Sequence, residues 1–247
     1  MLPAISSTAN AEVKRLAKLA RSSGRRESNS FLVEGLRAIS GFIEQGWQPL
    51  QVVVGDGEEL PAAWPQERIR RVARVVIERI SPVRSPSGYV AEFPLPEPPP
   101  LRAEAGGLVL WELADPGNLG TLLRSAAAFG IEQVVQVGGA DPYAPKVVQA
   151  SAGALAAVAV HRLEADVALS QLGAPTIALV VQDAAGIGEL CWPAWLVLGS
   201  EARGLPEQVA ASCDRWVRLP MATGSESLNA GVAGSLACFL ARGLHQA

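Results

Sequence analysis

The sequence predicts an α/β protein: a C-terminal, mostly parallel sheet with helices on both faces, preceded by a smaller N-terminal α/β domain. From residue 107 onward, short apolar segments alternate with helical ones, as in strands joined by crossover helices. The 247 residues are 49% hydrophobic, with a mean hydropathy of +0.22, which predicts a substantial buried core. The segment FPLPEPPP (93–100) cannot continue a helix or a central strand, so it marks a boundary.

The N-terminal part is predicted to begin with two helices and a strand. Two stretches have apolar residues at helical spacing: Val13, Leu16, Ala17 and Ala20, and then Leu36, Ile39, Phe42 and Ile43. Asn10 is a candidate N-cap for the first helix. LQVVV (50–54) has the composition of a buried strand.

The C-terminal part contains five predicted strands. They are GLVLWE (107–112), QVVQV (133–137), TIALVV (176–181), WLVLG (195–199) and WVRLP (216–220). One helix is predicted from Leu119 and a closing helix from about Asn229. Ligands of such sheets bind beyond the carboxyl ends of the strands, and the polar, glycine-containing loops of this chain follow those ends. We therefore expect 1–96 to form one domain, 97–104 a linker and 105–247 a second domain that carries the site.

The formal charge of −3 conceals an asymmetry along the chain. Through Arg84 there are 13 Lys and Arg against 9 Asp and Glu, whereas the remainder has 8 against 15. The basic residues cluster in VKRLAKLARSSGRR (13–26) and RIRRVARVVIERI (68–80). Arginine suits phosphate and stacks on bases, which indicates RNA as a partner, although a solvated basic face explains the charge equally well.

Membrane and metal sites are not expected. No apolar stretch reaches the roughly 18 to 20 residues that a membrane-spanning helix needs. The three cysteines, Cys191, Cys213 and Cys238, lack C-x-x-C spacing, and there are only two histidines, so a structural zinc site is unexpected. This cysteine usage fits a reducing cytoplasm.

Three loops at predicted strand ends contain the candidate functional residues. They are DPGNLGTLLRSAAAFG (115–130), LGSEARGLP (198–206) and LPMATGSESLNAGVAG (219–234). Taken singly, each has an ordinary explanation. The glycines around Glu201 suit a surface turn, and Ser227 or Asn229 suits a helix N-cap. Asn118 suits the cap of a helix from which Arg124 extends to solvent.

Together the three loops resemble the motifs of the SPOUT-class RNA ribose 2'-O-methyltransferases of the SpoU/TrmH family. Those motifs are an Asn in a turn before a helix with an Arg, then G-x-E-x-x-G, then P-M-x-x-G-x-x-S-L-N. The matching residues are Asn118 and Arg124; Gly199, Glu201 and Gly204; and Pro220, Met221, Gly224, Ser227, Leu228 and Asn229. The N-terminal part resembles the ribosomal-protein-like substrate-binding domain of these enzymes in ISSTANAEVKRLAKL, FLVEGLRAI and the hairpin-like SPSGYVAEF.

The resemblance implies methyl transfer from S-adenosylmethionine to the 2'-hydroxyl of a ribose in structured RNA, with ribosomal RNA favoured over tRNA. It also implies a deep trefoil knot and a homodimer formed through the C-terminal domain. The implied catalytic residues are Asn118, Arg124, Glu201, Ser227 and Asn229. The implied cofactor-binding residues are Gly199, Glu201, Gly204, Leu219, Met221 and Leu228, and the implied RNA-binding residues are Arg25, Arg26, Arg37 and Arg124.

Within this implied site, Arg124 is assigned to charge stabilisation. Its guanidinium stays protonated at any ordinary pH, so it is expected to bind the phosphate beside the target ribose and to stabilise charge on the attacking oxygen. Asn118 and Asn229 are expected to orient the hydroxyl or the arginine. Glu201 is expected to hold the arginine or a loop amide.

The closing helix has a stripe of small residues, Ala230, Ala233, Gly234, Ala237 and Ala241, beside Val232, Leu236, Phe239 and Leu240. Core packing explains this face as well as dimerisation does, and the family resemblance favours the dimer. The chain departs from the family pattern at Gln149, Thr223 and Gly231, where Arg, Gly and Ser are usual.

Two other functions are compatible with the sequence. One is a catalytically silent RNA-binding or ribosome assembly factor on the same fold. The other is a nucleotide-dependent oxidoreductase, against which the lack of G-x-G-x-x-G after any strand counts.

Overall fold

The computed structural model describes residues 2–83, 85–181, 184–222 and 227–243, and the chain divides into two compact units. The first unit is Met1–Glu97 together with Tyr143–Ala156, and the second is Pro98–Pro142 together with Ala157–Ala247. The division after Glu97 falls inside the proline-rich segment. Residues 143–156 group with the first unit, although the sequence-based division placed them in the C-terminal domain.

The first unit is built around a mixed sheet that has four strands within the described residues. Its elements are α1 (Ala11–Lys18), α2 (Ser22–Ser28), β1 (Ser30–Glu34), α3 (Leu36–Glu44), β2 (Gln51–Gly55), β3 (Ile69–Val72), α4 (Arg74–Ile80), β4 (Tyr89–Pro94) and α6 (Pro145–Ser151). The strand order is β1-β4-β2-β3. β4 runs antiparallel to β1 and β2, and β3 runs parallel to β2.

The predicted N-terminal elements are confirmed. The Asn10 side chain accepts a hydrogen bond from the Glu12 amide at 2.8 Å, which caps α1 as expected. Val13 and Leu16 are buried on the inner face of that helix. α3 and β2 cover the second predicted helix and the predicted strand.

Five elements of this unit are absent from the sequence-based prediction: α2, β1, β3, α4 and α6. α2 is mostly polar, so it has no apolar periodicity to detect. β1 and β4 are buried over consecutive residues and therefore lack the alternation of a half-exposed strand. The segment expected to be hairpin-like contains the single strand β4, which is paired on both sides.

Aromatic rings fill part of the first unit's core. Phe31, Phe42, Trp47, Phe93 and Tyr143 form a cluster with centroid separations from 4.9 to 6.3 Å. Such tilted and edge-on pairs add attraction beyond the area that they bury. Tyr143 belongs to the second segment of the unit, so the cluster joins its two stretches of chain.

The first unit also contains a buried charged network. Arg15 donates to both oxygens of Glu92 at 2.7 and 2.6 Å, and the Ser30 hydroxyl donates to the same carboxylate at 2.6 Å. The Gln51 amide donates to it at 3.0 Å. Burial opposes ionisation of Glu92, which is only 2% exposed, but these donors outweigh burial and lower its pKa.

The second unit contains, within the described residues, a six-stranded sheet in which every neighbouring pair is parallel. Its elements are β5 (Gly107–Trp111), α5 (Pro116–Ala128), β6 (Gln133–Val137), β7 (Ala159–Arg162), β8 (Thr176–Leu179), β9 (Trp195–Leu198), α7 (Glu207–Ala211), β10 (Arg215–Val217) and α8 (Ala230–Gly243). The strand order is β10-β8-β9-β5-β6-β7. This sheet confirms the predicted α/β class, and the trefoil knot stays a prediction.

The core of the second unit requires small residues at close approaches. Trp195 is fully buried, and its indole nitrogen donates to the Ala103 carbonyl at 2.7 Å. A Cβ atom on Gly107 would lie 2.5 Å from the Trp195 ring, so the start of β5 needs glycine.

Over the described ranges, no helix has the length and apolar character to cross a membrane.

Candidate functional site

The three predicted loops leave strands whose carboxyl ends meet at one edge of the second unit's sheet. β5 pairs in parallel with β9, and β9 and β10 both pair in parallel with β8. Because parallel strands end at the same edge, residues that follow β5, β9 and β10 are brought together there.

Asp115, rather than Asn118, caps the helix that follows β5. The Asp115 carboxylate accepts the backbone N–H of Asn118 at 2.8 Å, and Pro116 occupies the first helical position, where its missing N–H costs nothing. The Asn118 side chain is therefore available for another contact. Its Nδ2 donates to Glu201 Oε1 at 2.8 Å, which joins the first loop to the second.

Glu201 is held by neutral donors. Besides Asn118, the backbone amides of Ala114 and Asp115 donate to its two oxygens at 3.2 Å each. Burial opposes its ionisation, but the Asn118 side chain and the backbone amides outweigh burial and lower its pKa. Of the two roles predicted for Glu201, the described structure contains the one in which it holds loop amides.

Asn229 and Asn118 converge on Gly231. A Cβ atom built on Gly231 would lie 3.1 Å from the amide oxygens of both asparagines and 3.3 Å from Asn118 Cα. A side chain at position 231 would therefore be in tight contact with both amides, which would have to move by a few tenths of an ångström. Asn229 also acts as a cap, because its Oδ1 accepts the Val232 amide at 3.2 Å.

Arg124 lies apart from these contacts. It is exposed, six residues after Asn118 on α5, which corresponds to about 9 Å along the helix axis and a different face. Within the described ranges it makes no hydrogen bond or ion pair. The structure thus brings together Asn118, Glu201 and Asn229, and leaves the Arg124 guanidinium exposed to solvent.

Gly199 and Gly204 shape the loop that carries Glu201. Ser200 and Gly204 exchange two backbone hydrogen bonds, at 3.1 and 2.8 Å, and Gly204 has a φ of +66°. A Cβ atom on Gly199 would lie 2.1 Å from the Gly204 carbonyl carbon and from the Leu205 nitrogen. Both glycines are therefore required by the backbone of the loop itself.

An apolar cavity of about 80 Å³ lies where β8 and β10 end. It is lined by Leu179, Val180, Val181, Val217, Leu219, Met221, Ser227, Leu228 and Ala233. Four residues predicted for the site, Leu219, Met221, Ser227 and Leu228, are thus grouped on one cavity. Gly199, Glu201 and Gly204 are not part of its lining, and Thr223 and Gly224 lie outside the described residues.

The four arginines predicted to bind RNA differ in exposure. Arg26, Arg37 and Arg124 are exposed. Arg25 is only 3% exposed, and its guanidinium donates to the Leu19 carbonyl at 2.9 Å. Because its side chain is engaged inside the first unit, we withdraw Arg25 from the RNA-binding set.

Metal and thiol groups add no further candidates in the described part of the chain. No group of three or more His, Cys, Asp or Glu there could hold a metal ion. Burial raises the pKa of Cys213 to about 11 and that of Cys238 to about 12, so neither thiol ionises readily.

Comparison with protein families finds two matches. Residues 107–239 match the SpoU rRNA Methylase family, and residues 10–91 match the MRM3-like substrate binding domain. The first match covers more than half of the chain and contains all three motif loops. The second falls within the first unit.

Individual proteins are similar over nearly the whole chain. An uncharacterized tRNA/rRNA methyltransferase of Synechocystis sp. is 31% identical, over 98% of this chain and 94% of its own. The 23S rRNA (uridine(2479)-2'-O)-methyltransferase of Streptomyces viridochromogenes is 29% identical, over 89% of this chain and 84% of its own. The AdoMet-bound rRNA methyltransferase of Sinorhizobium meliloti is 27% identical and superimposes with a TM-score of 0.88, over 98% of each chain.

Proposed function

The chain belongs to the SpoU rRNA methylase family, and from this we infer that it is an S-adenosylmethionine-dependent RNA 2'-O-methyltransferase. It transfers a methyl group to the 2'-hydroxyl of a ribose in structured RNA, and ribosomal RNA is the favoured substrate. The observation that carries this function is the convergence of Asn118, Glu201 and Asn229 in the unit that also contains the apolar cavity.

At about 80 Å³ the cavity is smaller than a nucleoside, so we propose that it contacts only part of the cofactor's adenosyl group. Its lining of Leu, Val and Met side chains suits the apolar face of a purine, and Ser227 provides a hydroxyl. When bound, S-adenosylmethionine supplies a methyl group on a positively charged sulfur. We assign Leu219, Met221 and Leu228 to direct contact, and Gly199, Glu201 and Gly204 to shaping and anchoring the adjacent loop.

The Asn118 amide is oriented for catalysis by Glu201. Because its nitrogen donates to the carboxylate, its carbonyl oxygen faces Gly231 and Asn229 and can accept a hydrogen bond from a donor there. We propose that Asn118 and Asn229 hold the ribose hydroxyl in an attacking orientation, in which the hydroxyl donates a hydrogen bond to Asn118 Oδ1 and releases its proton to solvent as the methyl group is transferred. Such positioning accounts for a large part of the rate of group transfer.

Within one chain Arg124 lies on a different face of α5 from Asn118, so its positive charge is proposed to act at the site of a second copy. We propose that it binds the phosphate beside the target ribose and stabilises the negative charge that develops on the attacking oxygen. Its exposure supports this role, since within the described residues no carboxylate neutralises it.

An exposed apolar face on α8 supports a homodimer. Val232, Leu236 and Phe239 are between 42% and 53% exposed, whereas the small residues Gly234, Ala237 and Ala241 are buried within this chain. Ser235 on α8 contacts Ser125 on α5 at 2.7 Å, so this face lies next to the helix that carries Arg124. We propose that a second copy covers it and completes the site.

The N-terminal part is proposed to bind the RNA substrate. We retain the division into 1–96 for substrate binding, 97–104 as linker and 105–247 for methyl transfer. The exposed cations Arg26 and Arg37 support phosphate contacts by the first unit.

Methyl transfer to unmodified RNA tests the function. Purified protein with tritium-labelled cofactor is incubated with ribosomal RNA or tRNA transcripts, and the labelled position is mapped. We expect label on a ribose 2'-oxygen of ribosomal RNA. Label on tRNA alone would shift the substrate class, and transfer to neither RNA would contradict the proposed reaction.

Arg124→Ala tests the assigned charge. We expect kcat to fall by about 10²- to 10³-fold, the usual loss when one charge-stabilising donor is removed, while cofactor and RNA still bind. Arg102→Ala is the matched control, because Arg102 is also exposed but lies before β5, at the opposite end of the strand. Unchanged turnover in Arg124→Ala would end the assignment.

A further inference from the structure

Glu112 has an unusual backbone conformation at the edge of the candidate site. It follows β5 and has a φ of +51°, a region that side chains other than glycine rarely adopt. Such conformations persist only where the surrounding structure imposes them, and they cluster at functional sites.

Hydrogen bonds to the last residue of β6 and to the turn after it hold this conformation. The Glu112 amide donates to the Val137 carbonyl at 2.7 Å, and the Ala140 amide donates to the Leu113 carbonyl at 2.8 Å. A Cβ atom on Gly139 would lie 2.4 Å from the Leu113 carbonyl oxygen, so the two segments are in close contact. The backbone of Glu112 is thereby fixed at the carboxyl edge of the sheet.

The Glu112 side chain faces Arg203, which belongs to the same loop as Glu201. The Arg203 guanidinium lies 3.5 Å from the Glu112 carboxylate, and the two side chains are 83% and 51% exposed. An ion pair of this length and exposure stabilises little, because water solvates both partners. Arg203 can therefore leave Glu112 for another anion at low cost.

The position of Arg203 fits an RNA phosphate. It lies two residues after Glu201, whose bonds to Asn118, Ala114 and Asp115 anchor the loop beside the site. A planar guanidinium binds phosphate oxygens in pairs and is less strongly hydrated than an ammonium group. The bonds that anchor the loop are made by Glu201 and do not involve Arg203, so exchange of Glu112 for a phosphate would leave them in place.

We propose that Arg203 is an RNA phosphate-binding residue at the rim of the site, and that Glu112 is its counter-ion when RNA is absent. This inference rests on the proposed RNA methyltransferase function. The carboxylate keeps the cation on the rim and is displaced when the RNA backbone arrives.

Two substitutions with opposite expected effects test the exchange. Arg203→Ala should weaken RNA binding about tenfold and lower the slope of log Kd against log salt by about 0.7 to 1, because one phosphate contact is lost. Glu112→Gln keeps the backbone conformation but removes the competing charge, so it should tighten RNA binding about two- to fivefold. Arg203→Lys should retain most of the salt dependence.

The binding measurements use the full-length protein and an unmodified ribosomal RNA transcript, with the Kd for S-adenosylmethionine measured in parallel. Arg102→Ala and Glu132→Gln form the matched control, since that exposed ion pair lies before β5 and β6 at the opposite edge of the sheet. Neither control should change the Kd for RNA. Thermal unfolding confirms that each variant is folded.

Three results would overturn the inference. They are an unchanged Kd for RNA in Arg203→Ala, an effect of that variant on cofactor affinity alone, and a weakening of RNA binding by Glu112→Gln similar to that by Arg203→Ala. The last would mean that the pair only positions the loop. Failure of the proposed function is separate, because it appears as absent methyl transfer by the unsubstituted protein, whereas the Kd values need no turnover.

Discussion

Two carboxylates, one in each unit, are both stabilised in the ionised form, but by different donors. Glu92 is buried in the first unit's sheet and accepts two hydrogen bonds from Arg15, with Ser30 and Gln51 completing its shell. Glu201 lies on a loop of the second unit and is held by an amide side chain and two backbone amides. Within the described residues, Glu201 has no ion pair with an arginine.

The two units therefore use arginine differently: the first unit bonds arginines within its own fold, whereas the second leaves arginines exposed, where a substrate can bind them. The first unit uses Arg15 and Arg25 inside its own fold, where the guanidinium groups bond Glu92 and the Leu19 carbonyl. In the second unit the Glu201 carboxylate accepts hydrogen bonds from neutral donors, and Arg124 and Arg203 are exposed. A site that must bind polyanionic RNA benefits from this arrangement, because Arg124 has no carboxylate partner within the described residues and Arg203 is paired only with the exposed Glu112.

Removing the cation from the buried pair should have the largest effect. Arg15→Ala leaves the Glu92 carboxylate buried without its charged partner, so we expect the free energy of unfolding of the first unit to fall by about 3 kcal/mol. Hydrogen exchange of the β1 and β4 amides in the full-length protein measures this loss locally. Exchange in the second unit's sheet should change much less.

Arg74→Ala is the control for that substitution. Arg74 pairs with Glu78 at 3.1 Å one turn along α4, but both side chains are exposed, so the pair should contribute less than about 0.5 kcal/mol. Equal destabilisation by Arg15→Ala and Arg74→Ala would show that the burial of Glu92 does not determine how much its ion pair contributes to the free energy of unfolding.

Five of the six strands described in the second unit were predictable from the sequence, because β5, β6 and β9 are wholly buried short runs and β8 is nearly so, whereas the partly exposed β7 (AVHR) was missed. QVVQV matches β6 residue for residue, and the other four predicted strands differ from the structure only at their ends. Short or polar elements could not be found in this way. α2 has no apolar face, and residues 143–156 group with the first unit through contacts such as that of Tyr143 with Phe31, which no local pattern encodes.

The site was predictable as a set of loops but not as a set of contacts. The motifs identified Asn118 and Glu201, yet the choice between arginine and loop amides as partners of Glu201 depends on the turn that Asp115 caps. Arg25 was assigned to RNA because of its charge, and burial could not be read from a segment without apolar periodicity. Glu112 was not predicted as a site residue, because the feature that distinguishes it is a positive φ angle, which the sequence does not show.

An effect of intermediate size is expected from substitution of Glu201, the carboxylate that is held by neutral donors. The Glu201 carboxylate accepts three hydrogen bonds. Glu201→Gln replaces one of its two acceptor oxygens by an NH2 group, which cannot accept a hydrogen bond and needs acceptors of its own. The Asn118 amide should lose its fixed orientation, and kcat should fall about tenfold, equivalent to roughly 1.4 kcal/mol, with little change in unfolding free energy. Steady-state kinetics with saturating cofactor measures this.

Glu132→Gln is the comparison for Glu201→Gln, since it removes an exposed charge from the other edge of the same sheet. Its kcat should equal that of the unsubstituted protein. If Glu201→Gln instead destabilised the second unit as strongly as Arg15→Ala destabilises the first, the two carboxylates would have the same structural role and the contrast would fail.

The smallest expected effect is the pH dependence contributed by Glu201. The pKa values of Glu92 and Glu201 are both lowered from the ordinary value of 4.5, so each adds stability that is fully present above that pH. Both contributions are lost as the pH falls through the folded-state values, because the unfolded chain binds protons first. Glu92 is buried against a guanidinium, whereas Glu201 is exposed. We therefore expect Glu92→Gln to reduce the fall in the free energy of unfolding at acidic pH more than Glu201→Gln does.

Chemical unfolding of the two variants between pH 7 and pH 3 measures that difference. His161, whose pKa burial lowers from 6.5, adds a loss that begins at higher pH, but it is common to both variants and cancels in the comparison. A steeper acid limb for Glu92→Gln than for Glu201→Gln would contradict the assignment, because the carboxylate paired with arginine would then contribute less to the native state than the one held by neutral amides.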